Sequence, residues 1–418
     1  MVDTEVYYNQ LQRRYSRRIT LGLSRIKSAL FKLNSPHLKL KNPINILGSD
    51  GKFSTLTSLK SFLEADKKSS SAFISPHLYD LRTRVWLKNR YISIKEIKKY
   101  EKIIRKLDIK LSLFEVLTLI YILAASKEKT DYNLVESGLL FFGDSTRLWD
   151  KPLLQACTNI NKQHLEWINP KTINEICRQK VGYLSNKTNI YIGKQTPKVL
   201  KIIQTILKRN KSNITYPASW KIIYKKNNIF YKDKKNLISI NSKYIHSKGL
   251  MDNLGLAIKI ALDQKVSPKI IERTIPKIIF EGRLQYIEKG KLHTLVNKNE
   301  KILLDGAHSN TSAQNLYNYL KTLNVPIYCI WGMQKNKIPN EFLKNFKGIF
   351  NKVITIKIPN EKNACSAIEL KNIASRQNYN VDTAKNIKDS LKKLYSKEKK
   401  IIVFMGSLYW IGYVLKNN

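Results

Sequence analysis

The residues richest in chemistry are Gly48-Ser49-Asp50-Gly51-Lys52, followed by Phe53, Ser54 and Thr55. The apolar residues Ile46 and Leu47 lead into this glycine turn, and an amphipathic helical pattern leaves it. Backbone N–H groups at such a turn and at the helix start can surround polyphosphate oxygens. The Lys52 ammonium adds a point charge, and Ser54 and Thr55 add hydroxyl oxygens. The strict nucleotide-loop pattern wants glycine where Ile46 stands and Ser or Thr where Phe53 stands. An ordinary strand-to-helix turn capped by Ser or Asp is therefore the other reading of the same residues.

Such a loop needs a strand to deliver it and a sheet to hold the strand. Apolar spacing at Leu23, Ile26, Leu30 and Leu33 predicts a helix over residues 19–33, ended by Pro36. A strand over 44–48 then feeds the loop. A short strand over 71–75 ends at Ser75-Pro76, and Leu113, Leu117, Ile120 and Leu123 mark a buried helix over 112–126. A strand over 132–136 delivers Glu136 at its C-terminal end, where a carboxylate serves either as an ion-pair partner or as a ligand. The repeating strand, loop and helix predict a parallel sheet with helices on its faces, a fold in which ligands collect beyond the carboxyl ends of the strands.

Around residues 276–300, Pro276, Gly282, Gly290 and a polar Lys/Asn run break the pattern. Beyond it, strands over 301–305, 326–332, 351–356 and 399–405 alternate with helices over 311–322 and 366–376. The expected organisation is α/β throughout, with one domain over 1–281 and a smaller α/β domain over 282–418. A nucleotide would be expected between them, the usual place in a hinged ligase.

At 418 residues the chain exceeds the size at which single cores stop growing, which agrees with two domains. A formal charge of +44, from 75 Lys and Arg against 31 Asp and Glu, would ordinarily suggest nucleic acid or an anionic surface. The lysines, however, are spread through nearly every polar stretch alongside abundant Asn and Ile. The densest runs, Lys208 to Lys211 and Lys225 to Lys235, read as solvated loops or strand edges. Nucleic-acid binding is set aside in favour of a compositional bias. The four cysteines, Cys157, Cys177, Cys329 and Cys365, lack C-x-x-C spacing and read as buried thiols of a reducing compartment. No apolar run reaches the roughly 18 residues of a membrane span, and Met1 to Asn9 lacks a signal pattern, so a cytoplasmic protein is expected.

Several blocks, taken in order, resemble the folylpolyglutamate synthase / dihydrofolate synthase family, relatives of the Mur ligases. They are Leu21-Gly22-Leu23-Ser24-Arg25-Ile26, the Gly48 to Thr55 loop, Ile74-Ser75-Pro76-His77-Leu78, Leu113-Phe114-Glu115 and Val135-Glu136-Ser137-Gly138-Leu139. Gln163-His164-Leu165, Arg178-Gln179-Lys180-Val181-Gly182, Gly282-Arg283-Leu284-Gln285, Leu304-Asp305-Gly306-Ala307-His308 and Gly406-Ser407-Leu408-Tyr409 follow. The resemblance runs from about residue 15 to the C-terminus. It implies a P-loop-type parallel sheet domain of the Mur ligase kind, plus a smaller Rossmann-like α/β domain at the C-terminus.

The resemblance implies an ATP-dependent ligase that joins L-glutamate to dihydropteroate, to reduced folates, or to both, through an acyl phosphate, and that is commonly monomeric. It places Gly48, Ser49, Asp50, Gly51, Lys52, Ser54 and Thr55 on the phosphates of ATP, and Ser75, Glu136 and His164 on Mg2+. A hydroxyl and a carboxylate suit a hard cation, whereas an imidazole prefers softer metals and His164 alone would read as a surface residue. Lys180 matches a lysine that the family carries as a carbamate, although Gln179 replaces the usual preceding Glu; alone it would read as a solvated helix lysine. By resemblance Lys52, Lys180 and His164 are the catalytic set. Asn253 is expected on the adenine side of ATP, Asp305 and His308 on its ribose and phosphates, and Arg283 on the phosphates, with Gly306 allowing a sharp turn. Lys337 lies near a family lysine. Ser112, Phe114, Glu115, Gly143, Asp144 and Ser145 fall where the family contacts its pterin, although Phe114 could equally be core.

The departures define what is at stake. Phe53 and Asp50 stand where the family has glycine and asparagine, and Leu140-Phe141-Phe142 replaces its glycine-glycine-arginine. Gly249-Leu250 replaces the His-Gln that precedes Asn253, and Ser309-Asn310 the Asn-Pro after His308. If the loop requires positive φ at Phe53, strain of roughly 1–3 kcal/mol is expected there. The alternatives to a working ligase are a decayed relative that binds folate without turnover and a basic nucleic-acid-binding protein.

Overall fold

The computed structural model describes residues 4–16, 21–163, 165–225, 228–241 and 245–418. Contacts divide the chain into a unit of Met1–Ser242 with Leu250–Ile278, and a second of Lys243–Gly249 with Ile279–Asn418. Among the described residues, no helix is long and apolar enough to cross a membrane.

The first unit is built on eight strands: β1 Pro43–Leu47, β2 Ser70–Phe73, β3 Val85–Leu87, β4 Arg90–Tyr91, β5 Tyr132–Glu136, β6 Leu154–Cys157, β7 Asn189–Ile192 and β8 Asn213–Thr215. Their spatial order is β4-β3-β2-β5-β1-β6-β7-β8. The six strands from β2 to β8 pair in parallel, and the short β3-β4 hairpin closes one edge in the antiparallel sense. Every residue of β1 is buried. That is the signature of a strand covered on both faces: Ile44, Ile46 and Leu47 are apolar, and the one polar side chain, Asn45, is buried with its amide donating to Thr146 O at 3.1 Å.

The helix Lys52–Ala65 follows β1 and buries Leu56, Leu59, Phe62 and Leu63. The helix Leu113–Glu128 is apolar on nearly every side and is packed into the core with Phe73, Tyr100 and Val135. Its start is fixed by a capping box in which the Ser112 hydroxyl accepts from Glu115 N and the Glu115 carboxylate accepts from Ser112 N.

A three-stranded antiparallel sheet of β9 Trp220–Lys225, β10 Asn228–Asp233 and β11 Leu237–Ile240 completes this unit. The sequence did not announce it. Its strands mix Lys and Asn with Ile, Phe and Tyr without strict alternation; Trp220, Tyr231, Ile238 and Ile240 are buried while the other residues stay partly or fully exposed. The basic run after Lys225 is thus largely strand.

The second unit holds β12 Gln285–Ile287, β13 Glu300–Asp305, β14 Ile327–Trp331, β15 Lys352–Thr355, β16 Val381–Thr383 and β17 Lys400–Met405, in the order β12-β13-β17-β14-β15-β16. All pairs but β12-β13 are parallel. Strand β12 lies inside the 276–300 stretch that composition marked as a break. At three residues it is too short to leave a periodic signal.

Candidate active site

The turn after β1 has the backbone of a phosphate loop. Gly48 and Gly51 take φ of +138° and +91°. A side chain at Gly51 would strike the Asn253 amide at 2.3 Å. Lys52 Nζ folds back over the turn and donates to Gly48 O at 3.2 Å and Ser49 O at 3.1 Å. Thr55 is buried and its hydroxyl has no hydrogen-bond partner, an orphaned polar atom at the base of the loop. Phe53 corrects an expectation: it is the second residue of the helix Lys52–Ala65 and is not among the positive-φ positions, so the loop carries no strain there. Only the glycines need the left-handed region.

The segment after β6 braces this loop. Ser49 N donates to Asn159 O at 2.7 Å, and the Asp50 carboxylate accepts from the side chains of Asn161 and Gln163, the latter at 3.1 Å. Asp50 is thereby engaged by two amides, which moderates the charge it brings to an anion site. Asn253 reaches the loop as well, donating to Ser54 Oγ at 2.9 Å. Its amide is thus beside the phosphate turn.

Lys180, on the helix Ile173–Val181, is 1% exposed. Its Nζ donates to Gly48 O at 2.9 Å and to Leu139 O at 2.8 Å, which ties the phosphate loop to the segment after β5. Burial, with the nearby Lys52 charge, pulls its pKa down to about 7. It is not the solvated lysine that its position on a helix would suggest.

Ser75 lies just beyond β2 and Glu136 ends β5, and the parallel pairing of those strands brings them together. Ser75 N donates to Glu136 Oε2 at 3.2 Å, and Glu136 is 3% exposed. A hydroxyl and a buried carboxylate side by side are oxygen donors of the kind Mg2+ takes, with phosphate and water completing the shell. His164, the third expected ligand, lies outside the described residues. Among the described residues, no three of His, Cys, Asp and Glu converge as a metal site on their own.

The sequence reading missed Arg84, which is 6% exposed and donates through Nη1 to Ser75 Oγ at 3.2 Å and through Nε to His77 Nδ1 at 2.9 Å. Burial and the Arg84 charge hold the His77 imidazole down at about 3, in its neutral form. Its only sequence signal was a position nine residues after Ser75, in a polar stretch with several other cations.

On the expected pterin side, Phe114 is half-buried and lies against Gly138, where an added side chain would meet its ring at 2.7 Å and Asp144 Oδ2 at 3.4 Å. Phe114, Gly138 and Asp144 are therefore together. Asp144, however, is already satisfied: Gly138 N and Leu139 N donate to Oδ2, and Thr146 N and Oγ1 donate to Oδ1. It shapes the loop after β5. Ser145 pairs with the Thr118 hydroxyl at 2.8 Å, and Gly143 O accepts from Gly22 N. Ser112 and Glu115 form the helix cap described above, and Arg25 pairs with Glu115 at 3.2 Å.

In the second unit, Asp305 ends β13 and is 7% exposed. Its oxygens accept from Leu284 N at 2.9 Å and Ala307 N at 2.8 Å, so it fastens the segment that carries Arg283. Burial raises its pKa against the pull of Arg283 and these backbone donors. Gly306 is not at positive φ; it is glycine because a side chain would meet Leu408 at 2.4 Å. His308 Nδ1 contacts Gly306 O at 2.8 Å, just before the Ser309 cap of the helix Asn310–Leu320. Lys337 ends a short 3-10 turn and is half-buried.

This sheet, with its glycine turn at the end of a central strand and a smaller, mostly parallel α/β unit after it in sequence, defines a two-unit α/β chain with a phosphate-loop-like turn. Residues 288–417 match the family model described as dihydrofolate synthetase, C-terminal domain. The chain is 22% identical over 417 residues to the dihydrofolate synthase/folylpolyglutamate synthase of Bacillus subtilis, covering 94% of each. It is 23% identical over 425 residues to the dihydrofolate synthetase of Saccharomyces cerevisiae, covering 95% of this chain and 98% of that one. In fold it is similar to the bifunctional folylpolyglutamate synthase/dihydrofolate synthase of Yersinia pestis complexed with AMPPNP and Mn ion, with a TM-score of 0.84, 19% identity and coverage of 100% and 98%. Over nearly its whole length the chain is thus similar to dihydrofolate synthase/folylpolyglutamate synthases, at low identity.

Proposed function

We propose that this chain is an ATP-dependent ligase that adds L-glutamate to dihydropteroate, to reduced-folate glutamates, or to both. The observation that carries the reading is the phosphate turn at the end of β1, whose Gly48 is tied through Lys180 to the segment following Glu136. The residues present fit ATP and Mg2+. Gly48 and Gly51 give the turn its left-handed backbone, the Thr55 hydroxyl lacks a partner, and Ser75 with Glu136 offers hard oxygen donors. Ser75, Glu136 and, by resemblance, His164 would hold the metal, which supplies positive charge to the phosphate oxygens.

Joining a carboxylate to an amine in water is uphill, so the carboxylate must first be activated. Transfer of the γ-phosphoryl of ATP to the pterin substrate's carboxylate gives an acyl phosphate and ADP; attack by the glutamate amine then forms the amide and releases phosphate and a proton. Such transfer asks mainly for positioning and for cations. Lys52 and the N–H groups of Gly48 to Ser54 would grip the phosphates; Arg283, by resemblance, is expected to offer its planar fork of donors to anionic oxygens. Asn253, beside Gly51 and Ser54, would border the nucleotide, while Asp305 fastens Arg283's segment and His308 stands at the following helix. Burial draws the Lys180 pKa down to about 7, which raises the share of the neutral amine that carbamate formation with CO2 requires. On the folate side Phe114, with Gly138 and Asp144, would form the wall of the pterin site, shaped further by Ser112, Glu115, Gly143 and Ser145.

The test is Mg2+-dependent release of ADP that requires both dihydropteroate and glutamate. No ADP under saturating conditions sinks the ligase. The replacement of glycine-glycine-arginine by Leu140-Phe141-Phe142, with the first two of these buried, favours as a second reading a relative that binds folate without turnover. That reading requires thermal stabilisation by the pterin and none by ATP.

A further inference from the structure

We propose that Arg84 is a positioning residue for Ser75, held to that task by His77 and by the N-terminal helix Thr4–Arg14. The inference rests on the ligase reading, in which Ser75 and Glu136 hold the metal. Ser75 lies past the end of β2 on irregular backbone, where a hydroxyl left to itself has three staggered positions to choose from. The Arg84 Nη1 donation fixes one of them. A hydroxyl has two acceptor lone pairs and one proton; Arg84 takes one lone pair, which leaves the other for a cation and the proton for an anionic oxygen.

The guanidinium is itself constrained. It has only donors, so at the Nε contact His77 Nδ1 must be the acceptor. The His77 ring in turn meets Tyr8 edge-on, with centroids 4.6 Å apart at 89°. Arg84 closes the 3-10 turn Leu81–Arg84, which Asp80 caps by accepting from Arg82 N at 2.8 Å; Thr4 Oγ1 donates to the same carboxylate at 3.1 Å. The helix Thr4–Arg14 therefore holds the 75–84 segment at two points, Thr4 on Asp80 and Tyr8 on His77. That helix is anchored at its far end, where Arg14 and the Tyr15 hydroxyl each reach Glu101 Oε1 at 2.7 Å. The connected path Tyr8, His77, Arg84, Ser75 makes an N-terminal helix, distant in sequence, part of the metal site's support.

A cation so close to a metal ligand makes the idea testable. If Arg84 acted only as a charge it would oppose a divalent ion, and its removal would tighten metal binding. If it positions Ser75, its removal loosens binding. The probe is Mn2+ with ADP, measured by electron paramagnetic resonance on the full chain, alongside thermal unfolding of each variant. Arg84→Ala and His77→Leu are expected to weaken Mn2+ by roughly 10- to 100-fold, the usual cost of losing an outer-shell partner. His77→Asn, whose amide oxygen can accept from Arg84 Nε, restores most of the affinity. Unchanged or tighter Mn2+ binding in a folded Arg84→Ala protein overturns the inference while leaving the ligase reading intact. Should Arg84→Ala not fold, equal Mn2+ affinity in His77→Leu and His77→Asn overturns it. Absence of Mn2+ binding by the wild-type protein with ADP removes the ligase reading, and this inference with it.

Discussion

Gly51 and Lys180 carry the sharpest expectations for single residues. At Gly51 a methyl group meets both a left-handed backbone and the Asn253 amide. Gly51→Ala is expected to lose about 1–3 kcal/mol in chemical denaturation and to weaken ADP binding, whereas Phe53→Gly, in the first turn of the helix, costs at most about 1 kcal/mol. The pKa of Lys180 falls from 10.5 in its ordinary state to about 7 in the folded chain. Between those values the unfolded state binds the extra proton, so this group makes stability rise with pH from about 7 upward toward 10.5. Denaturation across that range should show the wild-type slope exceeding that of Lys180→Met; equal slopes would mean that Lys180 keeps its proton in the folded chain.

Among the elements, the long core helix and the second sheet each have one exposed weakness. Ser112 caps the helix Leu113–Glu128 through a full capping box, so Ser112→Ala is expected to cost about 1 kcal/mol by denaturant titration whether or not it touches a substrate. A change in KM for dihydropteroate beyond that would add a binding role. In the second unit Lys400 and Glu300 form an ion pair at 2.9 Å with both side chains 1% exposed, and Lys400 also donates to Leu394 O and Ser396 Oγ. Lys400→Met leaves the Glu300 charge buried without its cation and should destabilise by about 3–5 kcal/mol, measurable as a lowered unfolding midpoint. Among the described residues, seven of the fourteen strands of the two larger sheets, β1, β2, β5, β13, β14, β15 and β17, were legible in the sequence to within a residue or two, because apolar runs act over a few neighbours. The β9-β10-β11 sheet and β3, β4, β6, β7, β8, β12 and β16 were not: these strands are short or half-wet, and pairing with distant partners supplies what periodicity lacks.

For the whole molecule, the formal charge of +44 competes with the site as a clue to function. A nucleic-acid protein would lose affinity steeply with salt, whereas the ligase reading expects ADP with magnesium to raise the unfolding midpoint by an amount that grows with ligand concentration. At a hundredfold excess over Kd the gain would be about 2.7 kcal/mol.

The sequence by itself determined two α/β units, a glycine turn at a strand end and the order of the motifs, since each arises from neighbours a few positions apart. Only the tertiary structure decided what the polar groups of those motifs do. Asp50 finds Asn161 and Gln163 more than a hundred positions away, Lys180 finds Gly48 across 132, and Ser75 finds Glu136 across 61. Such partners are set by which strands lie side by side, and a buried polar group must accept whichever partner that register brings within reach.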